Sequence, residues 1–568
     1  MKYTLLIFFA LSLFSCSEKK PLADLIIRGG KIYTANDAQP EVQAVAVVGN
    51  KIIFAGSESE VERFKGDQTQ LIDLQGKTMT PGFIEGHGHL LGLGFQELTL
   101  NLADTKSYEE LVDRVKAAVE KSKPGDWIVG RGWHQDRWEK KPSKLIKGFQ
   151  THELLSAVSP NNPVYLTHAS GHASFVNAKA MELAGLNQLS KEQLQKDLGE
   201  GGEILRDPLG NPTGILIEHA QFLVSKIIPS STAETLSKAY ELAMEACLKN
   251  GITSFHDAGA DRENLGVLKR FQKENKLKIR LYEMLSGSDK SLVTEYFKKG
   301  IEVDSTNWLT IRSVKLYSDG ALGSRGAWLL APYSDRKETS GMPLTSMDSV
   351  LVTSRQGLKA GFQICTHAIG DRANREILDR YEVAFKENPD KAKDARFRIE
   401  HAQHIDPLDI PRFAKLGVIP AMQAIHLSSD RPWAIDRLGE KRIKESAYMW
   451  QSLLKSGAHI VNGTDVPVEP VNPIACFFAS VTRQTLKGEP QGGYEPQEKM
   501  TRAQALKSYT LDAAYGAFEE RIKGSIETGK LADFTVFSQD LMTVADDKIL
   551  STEVAMTIVG GKILFEKK

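Results

Sequence analysis

The chain has 568 residues, 41% of them hydrophobic and 25% charged, an ordinary balance for a globular protein and ample for a large core. Lysine plus arginine equals aspartate plus glutamate, at 72 each. Zero net charge and the lack of a polybasic run argue against a nucleic-acid partner.

The first residues read as a leader. Lys2 precedes an apolar run over 5–14, too short to span a bilayer but suited to a signal-peptide core. Leu13-Phe14-Ser15-Cys16 resembles a bacterial lipobox, in which the cysteine is lipidated, although Phe14 is bulkier than is usual there. The expectation is a signal over 1–16 and an exported lipoprotein anchored to the cell envelope through Cys16. Cys247, Cys365 and Cys476 are widely spaced in apolar segments and read as buried thiols.

Residues 24–55 break into short Val/Ile runs ended by Gly or Asn-Lys, the signature of hairpins. The same character returns near the C-terminus, where the GGKI of 29–32 recurs at 560–563. A small β-sandwich built from both termini, 22–80 with 525–568, is expected. Between them, over 81–524, eight short apolar runs lie at 81–84, 251–256, 278–285, 310–317, 362–367, 397–402, 418–423 and 459–465. Amphipathic stretches such as 232–248 and 373–386 precede most of them. Strand and helix alternating eight times predict an α/β chain with a (β/α)₈ TIM-like barrel. The gap between the first two runs is too long for one βα unit, so about 101–230 is an insertion with structure of its own.

Polar groups at the ends of barrel strands are where chemistry is expected. The first run ends in His87 and His89, which a strand points to one face, toward a common metal ion. Later runs end in, or carry, Lys315, His367, His401 and Asp465. Each is weak alone; the order His-x-His, Lys, His, His, Asp over separate strands is not.

That order, with the phrases PGFIEGHGH, VKLYSDGALGSR, THAIGD, IEHAQH and NGTDVPVEPVNP, resembles the metal-dependent amidohydrolase superfamily. The similarity is strongest to amidohydrolase family 3, the branch that includes N-substituted formamide deformylases. Glu85-Gly86 stands where that family usually has an acidic residue and Ser, and Thr464 stands where Ser is usual.

The resemblance implies that His87, His89 and Asp465 hold one divalent ion, zinc as the leading choice. His367 and His401 would hold a second, with Lys315 bridging as a carbamate. An ordinary ammonium ~4 Å from a divalent ion is repelled by ~8 kcal/mol at an effective dielectric of ~20, so Lys315 must be modified, neutral or turned aside. One ion or two stays open. The implied reaction is metal-assisted hydrolysis of a non-peptide carbon–nitrogen bond in a small amide or formamide, with Asp465 as general base. An esterase or lactonase on the same scaffold is an alternative, as is a surface-anchored binding protein without turnover. Trp133, His134 and His172 in the insertion, and Asp319, Arg325, Gln423, His404 and His426 after later strands, are candidates for substrate contacts. The oligomeric state stays open, a homodimer among the options.

Overall fold

The computed structural model describes residues 21–102, 104–135, 138–168, 173–186, 188, 202–229 and 232–568. The leader with Cys16, and His172, lie outside the described residues.

Eight parallel strands form the central sheet: β1 (Phe83–Gly88), β2 (Ile252–Ala260), β3 (Arg280–Ser286), β4 (Leu309–Tyr317), β5 (Gln363–Ala368), β6 (Arg398–His401), β7 (Ile419–Met422) and β8 (Val461–Asn462). Each pairs with the next in chain order. They read as near-continuous buried runs because both faces are covered, one by the interior of the barrel and one by helices. The helices begin where the sequence supplies a cap. Thr232, for example, accepts the Thr235 amide ahead of Ala233–Lys249.

The seam between β8 and β1 is what makes the sheet nearly closed. Asp465 donates its backbone N–H to the His87 carbonyl at 2.8 Å, and Thr464 donates its own to Glu85 at 2.7 Å. Gly86 permits the approach: a Cβ there would lie 2.4 Å from the Asn462 carbonyl and from Val461 Cγ1.

Both termini build one eight-stranded sheet, in which Phe534–Phe537 runs antiparallel to Thr78–Pro81. Thr78–Pro81 passes through Gly82 directly into β1, so this sheet is joined to the first barrel strand. Apolar side chains from strands of both termini, among them Ile27, Val45, Met79, Phe534 and Ile558, meet in a single cluster. Arg280 of β3 locks the sheet to the barrel through a buried ion pair with Asp533, at 2.7 and 3.0 Å. Between β1 and β2 a separate six-stranded sheet spans parts of residues 100–218, with a core of its own that includes Tyr108, Trp133 and Phe175. The three described cysteines are buried and free.

Candidate metal centre

The end of β1 enters a buried polar network. His87 donates from Nδ1 to Glu400 at 2.5 Å, and Arg398 holds that carboxylate from Nε and Nη2 at 2.7 and 2.8 Å. Arg398 also gives Nη2 to the Gly86 carbonyl at 2.7 Å. With Nδ1–H committed, Nε2 of His87 carries the free lone pair. It faces Lys315 Nζ at 3.3 Å and Asp465 Oδ1 at 3.6 Å.

His401 is fixed by the same logic. Its Nδ1 donates to Gln423 Oε1 at 2.7 Å, which leaves Nε2 as the lone-pair nitrogen. His401 and Asp465 both take a left-handed backbone, with φ of 73° and 59°. That conformation costs on the order of 1–3 kcal/mol for a non-glycine residue and persists where surrounding contacts impose it.

One ligand atom each from His87, His401 and Asp465 falls within 4.8 Å of the others. His89 Nε2 lies 3.2 Å from Asp465 Oδ1, and the His367 ring packs edge-on against His401 with centroids 4.4 Å apart. All six residues of the expected ligand set therefore meet at the C-terminal ends of the barrel strands.

The electrostatics suit a cation. Burial, then the charge of Lys315, lowers His87 to about 4 and His367 to about 3, and burial holds His401 well below 6.5. All three are neutral imidazoles at pH 7. Burial would raise Asp465, but the adjacent His89, His87 and His426 outweigh it and hold the carboxylate at about 2. Asp465 Oδ1 is buried without a hydrogen-bond partner. An ionised oxygen without a donor, among neutral imidazoles, is a donor set that fits a divalent metal.

Several expected substrate contacts have other duties. Gln423 orients His401. Asp319 accepts the backbone N–H groups of Trp328, Ile369 and Gly370 at 2.8 to 3.0 Å and lies 3.6 Å from His367 Nε2, so it shapes the loop behind that histidine. Arg325 is paired with Asp335, which also takes Arg437. Trp133 corrects the expectation of a substrate contact. It is fully buried in the insertion's core because Trp138, Phe149 and Phe175 surround it, and its indole N–H goes to the Leu166 carbonyl at 2.9 Å. His134 packs against His168 in the same unit, with ring centroids 4.6 Å apart. His426 does lie beside the centre, stacked on His401 at 6.1 Å. His404 is buried, with its ring edge-on to Tyr448.

Glu400, Arg398, Glu85, Asp257 and Glu283 went unassigned from sequence. Glu85 accepts from Thr464 Oγ1 at 2.9 Å as well as from its amide, and burial raises it to about 8. Asp257 of β2 accepts the Leu90 amide at 2.9 Å, capping the helix Leu90–Leu98 whose own N-cap, His89, makes no capping bond. Glu283, fully buried beside it on β3, is pushed far above the carboxylate range by burial and by Asp257. The available signal was charge inside buried parallel strands: RIEH and SFHD place ionisable residues where apolar ones are the rule.

A family model described as the amidohydrolase family matches residues 70–565. The chain belongs to that family. It is 31% identical to the protein LONG AFTER FAR-RED 3 of Arabidopsis thaliana over 557 residues, which cover 96% of this chain and 92% of that one. It is 27% identical to the N-substituted formamide deformylase of Arthrobacter pascens, over 96% of this chain and 99% of the relative. Among solved structures, a metal-dependent hydrolase from Pyrococcus furiosus superposes with a TM-score of 0.74 at 28% identity, covering 91% of this chain and all of that one. The (β/α)₈ reading and the hydrolase family therefore stand.

Proposed function

We propose that this amidohydrolase cleaves a non-peptide carbon–nitrogen bond, of amide or formamide type, in a small molecule. The observation that carries the reading is the buried Asp465 oxygen without a hydrogen-bond donor, set among the neutral imidazoles of His87 and His401 with His89 Nε2 beside it at 3.2 Å. The full-length likeness to a formamide deformylase supports the choice of bond.

His87, His89 and Asp465 would hold one divalent ion, and His367 and His401 a second; zinc suits histidine mixed with carboxylate. Such an ion supplies Lewis acidity and brings the pKa of water from about 15.7 to about 7. Asp465, a carboxylate at neutral pH, accepts the proton of the attacking water and passes it to the leaving nitrogen. Glu400 and Gln423 keep the His87 and His401 lone pairs aimed at the site. Burial lowers the Lys315 ammonium from its ordinary value, which favours the free amine. That neutral amine would add to carbon dioxide, an N–C bond forming as one C–O π bond opens and a proton leaves, to give a carbamate anion whose two oxygens could serve as ligands. An unmodified Lys315 goes with a single ion. Export and lipidation at Cys16 remain part of the proposal, and Cys16→Ala should abolish lipid labelling.

The test is a metal analysis together with turnover of matched amide, formamide and ester panels. Bound divalent metal and selective hydrolysis of the carbon–nitrogen panel are expected; metal with preferential ester hydrolysis overturns the choice of bond. Asp465→Asn should keep most of the metal and lose about 10²–10⁴-fold in rate. An unchanged rate removes Asp465 from its role.

A further inference from the structure

Beside the ligand cluster lies a second group of acids that the mechanism does not use. The helix Ala424–Ser446 begins directly after Gln423, and on it His426 and Asp430 are four residues apart, hence on one face. Asp430 is half-buried and accepts from Gln403 Nε2 at 3.3 Å, while Glu469, also half-buried, accepts from the Ser429 hydroxyl at 2.5 Å. Ser429 is the neighbour of Asp430 in the chain, so its bond to Glu469 brings the two carboxylates to the same end of the helix. Ser429 itself is exposed, which opens the group to solvent.

Among the described residues no lysine or arginine is paired with either of these two carboxylates. Arg431, next in the chain, is committed to Glu495 at 2.8 Å. Burial raises both carboxyls above their ordinary values, and at Glu469 the repulsion of Asp430 and Asp465 adds to it. His426 supplies the independent sign of a ligand. It is 92% buried, being 8% exposed, and its Nε2 has no hydrogen-bond partner, although it lies one helical turn before Asp430 and Ser429. A buried polar nitrogen of this kind costs about 1–3 kcal/mol unless something at the site satisfies it. Through the stack of His426 on His401, this acidic notch is continuous with the ligand cluster.

We propose that the notch formed by Asp430, Glu469 and His426 is a specificity subsite for a cationic group, so that the molecule hydrolysed carries an ammonium several bonds from the scissile carbon–nitrogen bond. The proposal rests on the hydrolase reading above and names its substrate class. The ammonium supplies the counter-ion, and His426 Nε2 accepts one of its protons. Anionic analogues are repelled by the same two carboxylates, which gives discrimination in both directions.

Three formamides of similar length test it: N-formyl-1,5-diaminopentane (cationic), N-hexylformamide (neutral) and 6-formamidohexanoate (anionic). The wild type should favour the cation over the neutral compound by about tenfold in kcat/KM, and disfavour the anion. In Asp430→Asn and Glu469→Gln, which keep acceptors for Gln403 and Ser429, the cation-to-neutral ratio should fall toward one. A wild-type ratio of one or below, or a ratio that the variants leave intact, overturns the subsite. If no formamide or amide is hydrolysed at all, the hydrolase reading fails separately, and calorimetric titration decides the notch. There 5-aminopentanol should bind about tenfold tighter than 1,5-pentanediol, and only in the wild type; equal binding of the two overturns it.

Discussion

His404 shows how a single side chain ties this fold to pH. It is fully buried, neither ring nitrogen has a hydrogen-bond partner, and burial lowers its pKa from 6.5 to about 3. Between those values the unfolded chain binds a proton that the folded chain does not, so stability is intact above about pH 6.5 and falls as the pH drops toward 3. His87, His367 and His401 act in the same direction when no metal holds them. His404→Leu removes one such term without touching the ligand cluster. Its melting temperature should therefore fall less steeply than that of the wild type between pH 6.5 and 4.5, measured in chelator; parallel curves would sink the assignment. At this scale the chain was partly legible. His87, His367 and His401 announce themselves as histidines ending apolar runs. Glu400 and Gln423 do not, because their importance lies in what they touch: Glu400 meets a histidine 313 positions away.

Among the elements, the seam between β1 and β8 matters most to the site. Asp465 is three residues beyond the end of β8, and its backbone is bonded to His87 across the seam. Any change that parts the two strands therefore parts two expected metal ligands. Gly86→Ala is the sharpest such change, since its Cβ would lie 2.4 Å from the Asn462 carbonyl. A loss of about 1–3 kcal/mol in stability is expected, from overpacking against backbone that cannot yield. Metal content measured after dialysis should fall with it, while an equivalent loss of stability introduced in the terminal sheet should leave metal content unchanged. Equal effects on metal would show that the seam has no special hold on the site. All eight barrel strands were legible as short apolar runs, because a strand covered on both faces leaves a run of buried residues and little else. Trp133 was misread for the same reason: its neighbours in sequence are polar, and only the fold shows that Trp138, Phe149 and Phe175 enclose it.

Across the whole molecule, the ligand set draws on strands from positions 87 to 465, so a bound ion ties together most of the barrel. Any ligand that binds only the folded chain stabilises it by mass action, by about 4 kcal/mol when present at 1,000 times its dissociation constant. Chelation should therefore lower the melting temperature by several degrees, and added zinc should restore it. No shift on chelation of a metal-loaded sample would mean that the site does not couple the strands in this way. The terminal sheet is joined to the barrel by Gly82 and by the Arg280–Asp533 pair, so its unfolding is expected in the same transition.

The amino-acid order by itself determined the barrel and the family, and it put forward the candidate ligands and the joining of the two termini. These follow from local periodicity and from residue types whose chemistry is their own. Which nitrogen each histidine turns inward, which acids are neutral, and that Ser429 beside Asp430 bonds to Glu469 were decided only by the tertiary structure. Those properties depend on burial and on partners brought from distant strands, and no window of sequence contains both halves of such a contact.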